Sequence, residues 1–181
     1  NSTARRFYTD VYRFANGRTN IFGQAMNFGN LTGYHPHFAT FGTLTMATPD
    51  GRRAGAPFLF GSGQSEGKDR DGITSHLLSV ARMDPTGIMC GNTIMNLTVE
   101  ETIVRNDESF DKFVTVVETY FRAGGLHLQL NHVSREELLA AQKDPEKYRN
   151  LRVRVSGFSA YFIGLCEDIQ NNVIARTEHN V

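Results

Sequence analysis

The chain has 181 residues, about one domain and long enough to close a hydrophobic core. Apolar residues at 40% and charged residues at 21% exclude the disordered and fibrous classes. Nineteen basic residues balance nineteen acidic ones, so no net field draws nucleic acid or an anionic membrane, and apolar runs such as Val114, Val116 and Val117 are too broken to span one. Cys90 and Cys166 are too few for a disulfide framework or a structural zinc site, which fits a reducing cytoplasm. Three glycosylation sequons begin at Asn1, Asn30 and Asn96; with no secretory signal before them, they are expected to be chance.

The spacing of Phe7, Tyr8, Val11 and Phe14 predicts a helix that stops at Asn16-Gly17. A sequence that opens without Met, with this helix under way, is expected to be processed or to be a piece of something longer. Residues 18–37, rich in Asn and Gly, read as a long loop. Residues 38–48 read as a strand, with Phe41, Leu44 and Met46 among Thr and Gly, closed by the turn Thr48-Pro49-Asp50-Gly51. The stretch GSGQSEGKDRDG over 61–72 lacks both the dinucleotide-binding spacing and the Gly-Lys-Ser/Thr ending of a phosphate loop. It reads as a plain loop before a short helix over 74–82.

Ser109 is placed to cap a helix whose stripe is Phe110, Phe113, Val114, Val117 and Phe121, with Gly124-Gly125 ending it. Leu126, Leu128 and Leu130 then alternate with His127, Gln129 and Asn131, which predicts a strand with one apolar and one polar face. Ser134 to Glu137 is a capping box that opens a helix through Lys143, and residues 144–150 form a turn. Leu151, Val153 and Val155 mark another strand, and Leu165, Ile169 and Val173 a last helix toward Arg176. The switching of periods implies α/β packing within one unit.

Few residues suggest chemistry by type and spacing alone. His35 and His37 could join Asp50 at a metal only from one face of a strand, and Pro36 between them predicts a loop instead. His127 reads as hydrogen-bonding a neighbour from its strand's polar face. Neither Cys90 nor Cys166 has a nearby His to activate it, and both read as small buried hydrophobes. Gly157, between Ser156 and Phe158 at the end of an alternating strand, marks a bulge or a close backbone approach.

The segment RVSGFSAYF around Gly157, followed by QNNVIARTEH, resembles the C-terminal signature of the glycyl radical enzymes, the pyruvate formate-lyase superfamily. ATPDGRRAGAP over 47–57, GKDRDGITS over 67–75 and GGLHLQLNHVS over 124–134 resemble landmarks of that family in the same order. The resemblance implies that Gly157 is oxidised to a stable backbone radical, with Arg154, Val155, Ser156, Phe158 and Ser159 shaping the loop that carries it. Glycine suits this because an unpaired electron on Cα spreads onto the flanking amides only at a planar centre, which a Cβ would crowd. Two positions depart from the family's habit: Phe158 stands where Tyr is common, and Arg152 where a β-branched residue is frequent. Arg152 must then reach water or a carboxylate.

By the same resemblance the fold is α/β, the C-terminal part of a ten-stranded α/β barrel, with residues 1–60 belonging to the barrel and 61–181 forming a glycine radical domain. In the family the radical passes to a thiyl cysteine, whose usual setting is found around neither Cys90 nor Cys166. The expected function is therefore the radical-bearing portion of an anaerobic, cytoplasmic lyase, dehydratase or decarboxylase, inert as a separate piece. No cofactor is expected on the chain itself. The implied partners are a radical S-adenosylmethionine activating enzyme with a [4Fe–4S] cluster, the rest of the parent enzyme chain, a small-molecule substrate and a second copy in a homodimer; neither nucleic acid nor membrane is expected. The alternative is a stand-alone glycyl radical subunit that replaces the oxygen-damaged C-terminus of a lyase.

Overall fold

A computed structural model describes residues 2–26, 35–58, 61–63, 71–83, 94–155, 157–176 and 178–179. Helix α1 covers Ser2–Ala15, as the spacing predicts, and Gly17 turns the chain at φ 77°. Its apolar stripe is only partly covered: Tyr8 and Val11 are half-buried, while Phe7 and Phe14 are about 60% exposed. A short antiparallel bridge joins Thr19 to Ala25 within the expected loop.

The strand expected over 38–48 is instead the end of a helix, α2, over His35–Leu44. Pro36 stands in its first turn, where a missing N–H leaves no hydrogen bond broken. His35 and His37 thus lie on a helix rather than in a loop. The Thr43 hydroxyl bonds back to the Thr40 carbonyl and that of Thr45 to Phe41, at 2.8 and 2.6 Å. Gly42 allows close packing, since a Cβ there would stand 2.5 Å from the Ala56 carbonyl oxygen. The predicted turn follows: the Gly51 N–H donates to the Thr48 carbonyl at 3.0 Å, with Gly51 at φ 95°. The Thr48 hydroxyl bonds the Asp50 carboxylate and lowers its pKa.

Helix α3 spans Gly72–Ala81, and strand β1 follows over Ile94–Val99. No periodicity in the sequence marks β1. Five of its six residues are buried, so the segment shows no apolar–polar alternation to read. A 3₁₀ turn over Glu101–Val104 leads into α4, Asp107–Arg122, and then into β2, His127–Asn131. The cap of α4 is Asn106 rather than Ser109: the Asn106 side-chain oxygen accepts the Ser109 N–H at 2.9 Å. Ser109 occupies the third helical position, the one that receives a cap. The buried stripe is also rotated from the expected one. Phe113 and Tyr120 are buried and Val116 and Val117 pack beside them, whereas Phe110 and Phe121 are nearly half exposed.

Helix α5, Arg135–Lys143, has the expected Ser134 cap on the Glu137 N–H at 3.2 Å. Strands β3, Arg152–Arg154, and β4, Ser159–Tyr161, form an antiparallel hairpin. Helix α6 runs from Glu167 to Ile174, so Leu165 precedes it, and β5 covers Glu178–His179. The main sheet is wholly parallel in the order β2-β1-β5, with Ile94 opposite His127, Asn96 opposite Gln129 and Thr98 opposite Asn131. One core packs α3, β1, the 3₁₀ turn and α4; a second gathers Leu138, Val153, Val155, Phe162, Ile169 and Val173. Every buried apolar residue described, apart from Ala15, lies after residue 60. Among the described residues no helix is long and apolar enough to cross a membrane.

Tyr120 links helix to strand. Its ring is fully buried, its hydroxyl donates to the His127 carbonyl at 3.1 Å, and burial raises its pKa. Gly125 makes room for that ring, because a Cβ there would stand 2.4 Å from it. Gly125→Ala is therefore expected to lower stability by about 1–3 kcal/mol through overpacking, read as a drop in melting temperature; Gly55→Ala, where no atom lies within 4 Å but φ is 77°, should lose less.

Candidate functional site

Gly157 sits in the loop that joins β3 to β4, not within a strand. The loop is closed by the Val155 N–H donating to the Phe158 carbonyl at 3.0 Å, with Gly157 inside that closure. Gly157 has φ +81°, the left-handed region that glycine enters without steric cost. Space is not what demands glycine: a Cβ would meet only the Ile94 side chain at 3.5 Å, an ordinary contact. The backbone conformation selects the residue.

The polar face of β2 holds this hairpin. Asn131, 6% exposed, grips Arg154 at both backbone groups: its side-chain oxygen accepts the Arg154 N–H at 2.6 Å and its amide nitrogen donates to the Arg154 carbonyl at 2.9 Å. Gln129, 2% exposed, accepts the Gly157 N–H at 3.0 Å. Its amide nitrogen lies 3.2 Å from His127 Nε2. The predicted polar face thus exists but is turned inward onto the glycine loop, while Leu126 and Leu130 on the other face are exposed. From the C-terminal side, Arg176 donates to the Arg154 and Val155 carbonyls, both at 2.8 Å.

The expected loop residues divide by role. Val155 is fully buried in the second core, while Arg154 reaches out to the Ser159 hydroxyl at 3.1 Å. Phe158 is 39% exposed and contributes its carbonyl to the loop closure. Ser156 lies outside the described residues, as does Cys90. Arg152 is exposed to water, one of the two expected outcomes, and among the described residues it meets Tyr161, stacking over its ring at 4.8 Å and donating to its hydroxyl at 2.8 Å. Cys166 is exposed, contrary to the expected buried hydrophobe. No group of three His, Cys, Asp or Glu side chains able to hold a metal occurs among the described residues.

Two upstream motifs are also well placed. Within ATPDGRRAGAP, the Arg52 guanidinium bonds the Thr45, Met46 and Ala56 carbonyls and folds the segment back onto the end of α2. The Ser62 N–H donates to the Ile94 carbonyl at 2.8 Å, and Ile94 is the residue whose side chain faces Gly157. Residues missed as functional by sequence reasoning are Gln129, Asn131 and Arg176. The signal for the first two was their period-two spacing with His127 beside a double glycine.

The family model described as "Glycine radical" matches residues 60–163, more than half of the chain. The chain belongs to the glycyl radical family. Its relatives include the probable dehydratase YbiW of Escherichia coli K12, 42% identical over 140 residues, and the isethionate sulfite-lyase of Bilophila wadsworthia, 38% identical over 162 residues. These alignments cover 77% and 88% of this chain but only 17% and 20% of the relatives. Among solved structures, the glycerol-bound B12-independent glycerol dehydratase of Clostridium butyricum superposes with a TM-score of 0.86 at 37% identity, over 98% of this chain and 22% of that one. The chain thus spans about a fifth of the length of these glycyl radical proteins.

The double hydrogen bond of Asn131 generates a prediction. Asn131→Leu leaves the buried Arg154 N–H without its acceptor and should cost about 2 kcal/mol. Asn131→Asp keeps an acceptor for that N–H but sets an oxygen where the amide donor faced the Arg154 carbonyl, so its loss should be comparable at neutral pH and smaller at low pH, where the carboxyl is protonated and can donate. Equilibrium denaturation of the two variants at neutral and low pH checks the order.

Proposed function

We propose that Gly157 carries the radical of a glycyl radical enzyme of lyase, dehydratase or decarboxylase type, and that this chain supplies the radical-bearing C-terminal portion of that enzyme. The observation that supports this most is the site's construction: a glycine at φ +81°, at the tip of a hairpin whose backbone is gripped by three side chains from two other motifs. Removing one hydrogen atom from Cα leaves an electron that spreads over the two flanking amides. A hairpin tip can present that carbon without disturbing the core beneath it.

The burial pattern supports a division near residue 60: among the described residues up to 58, one apolar side chain is buried, and the exposed Phe7, Phe14, Ile21 and Phe22 suit a place against the remaining barrel. The wholly parallel sheet, whose outer strands pair with no further strand among the described residues, suits the last strands of that barrel. Turnover then needs a thiyl cysteine and substrate groups from the other four-fifths of the protein, and activation needs a partner that uses S-adenosylmethionine and a [4Fe–4S] cluster to take the hydrogen from Gly157. The stand-alone repair subunit is the weaker reading, because the likeness to the dehydratase extends over 98% of this chain, well upstream of the glycine loop.

Anaerobic incubation of the intact enzyme with its activating partner is expected to give an organic radical signal, and Gly157→Ala to give none while still folding, at a cost of about 1 kcal/mol for an alanine at positive φ. Admitting air to the activated protein should break the main chain at or beside Gly157, as mass spectrometry would show; unactivated protein should stay whole. Cleavage elsewhere, or equal cleavage without activation, removes Gly157 from the mechanism.

A further inference from the structure

We infer that Gln129 is a positioning residue for Gly157, a buried carboxamide that fixes the peptide plane on the amino side of the glycine and is itself held in orientation by His127. The inference rests on the reading of Gly157 as the radical site and adds to it the group that sets the geometry there.

Gln129 is 2% exposed, so its carboxamide cannot turn to water for partners. A backbone N–H only donates, so the Gln129 atom at 3.0 Å from Gly157 N must be the oxygen. This assignment sends the amide nitrogen toward His127 Nε2, 3.2 Å away. An amide nitrogen only donates as well, so His127 Nε2 carries the lone pair and the ring proton lies on Nδ1. The chain of donors therefore has one direction, from Gln129 to His127 and from Gly157 to Gln129. Each link is determined by the one before it.

The consequence concerns the N–Cα torsion of Gly157. An electron on Cα delocalises onto the preceding amide only as far as that peptide lies in the plane of the carbon, and the preceding amide is the one whose N–H Gln129 holds. Asn131 and Arg176 grip the hairpin two to three residues earlier, at Arg154 and Val155, and fix the strand rather than the tip. Among the described contacts, Gln129 is the side chain that holds Gly157 itself.

The test uses the intact enzyme and two readouts, the first taken before activation. Amide hydrogen exchange at Gly157 should accelerate about tenfold in Gln129→Met, which fills the same space without an acceptor, and should return close to the wild-type rate in Gln129→Glu, which keeps one. Unchanged protection over α4 shows that the variants are folded. His127→Phe keeps Gln129 but removes the partner at its other end, and should raise the exchange only about twofold, because the glycine N–H still selects the amide oxygen while the carboxamide is held less firmly. After activation, the radical signal should persist in all three variants, with the coupling to the glycine N–H proton shifted in Gln129→Met and near wild type in Gln129→Glu. Exchange in Gln129→Met at the wild-type rate, or in Gln129→Glu as fast as in Gln129→Met, overturns the positioning role. A wild-type signal that survives Gly157→Ala overturns the radical reading and this inference with it, and is told apart from the former because the exchange contrast is read without any radical.

Discussion

The site depends on one arrangement: a buried row of carboxamides on β2 facing the backbone of the glycine hairpin. Burying Gln129 and Asn131 is costly unless their polar atoms find partners, and they find them in the backbone of residues 154 and 157. That requirement fixes position as well as stability. If β3 slipped by one residue, Asn131 would face a different pair of backbone groups and Gln129 would lose the glycine N–H. The hairpin therefore has one register in which the buried amides are satisfied.

Other parts of the chain serve that arrangement. Parallel pairing with β1 brings Gln129 and Asn131 to the same level as Asn96 and Thr98, and the fully buried Tyr120 ties the start of β2 to α4. Arg176, just beyond α6, closes the hairpin base with its two terminal guanidinium nitrogens on successive carbonyls, a fixed planar fork that a lysine lacks. Segments that are far apart in sequence thus become neighbours because each supplies a donor or acceptor to the same few backbone groups. Gly157 at the tip stays accessible, while its neighbour Val155 is locked into the core.

Much of this was legible in the sequence, and the failures have physical causes. The helices α1, α4 and α5, strand β2 and the hairpin's first strand follow from periodicity and capping, since these are local signals. The segment over 38–48 misled because threonines and aromatics favour strands, whereas Pro36 and the helical back-bonding of Thr43 and Thr45 decided for a helix. Strand β1 was silent because burial on both faces erases alternation. Alternation located β2 but said nothing about which face would be buried. An amphipathic strand normally turns its apolar side inward, and here a polar side with enough partners is the more deeply buried one, while Leu128 packs against the first core and Leu130 stays exposed. The motif resemblance located the glycine; the residues that hold it required three dimensions.

The central claim, that the unpaired electron resides on a glycine α-carbon, is tested most directly by electron paramagnetic resonance of the activated enzyme made with glycine labelled with ¹³C at Cα. The account predicts a doublet from the single remaining α-hydrogen, which acquires a further large splitting when the label is present. A signal of undiminished intensity whose shape ignores the glycine label would place the radical on another residue type and contradict the account.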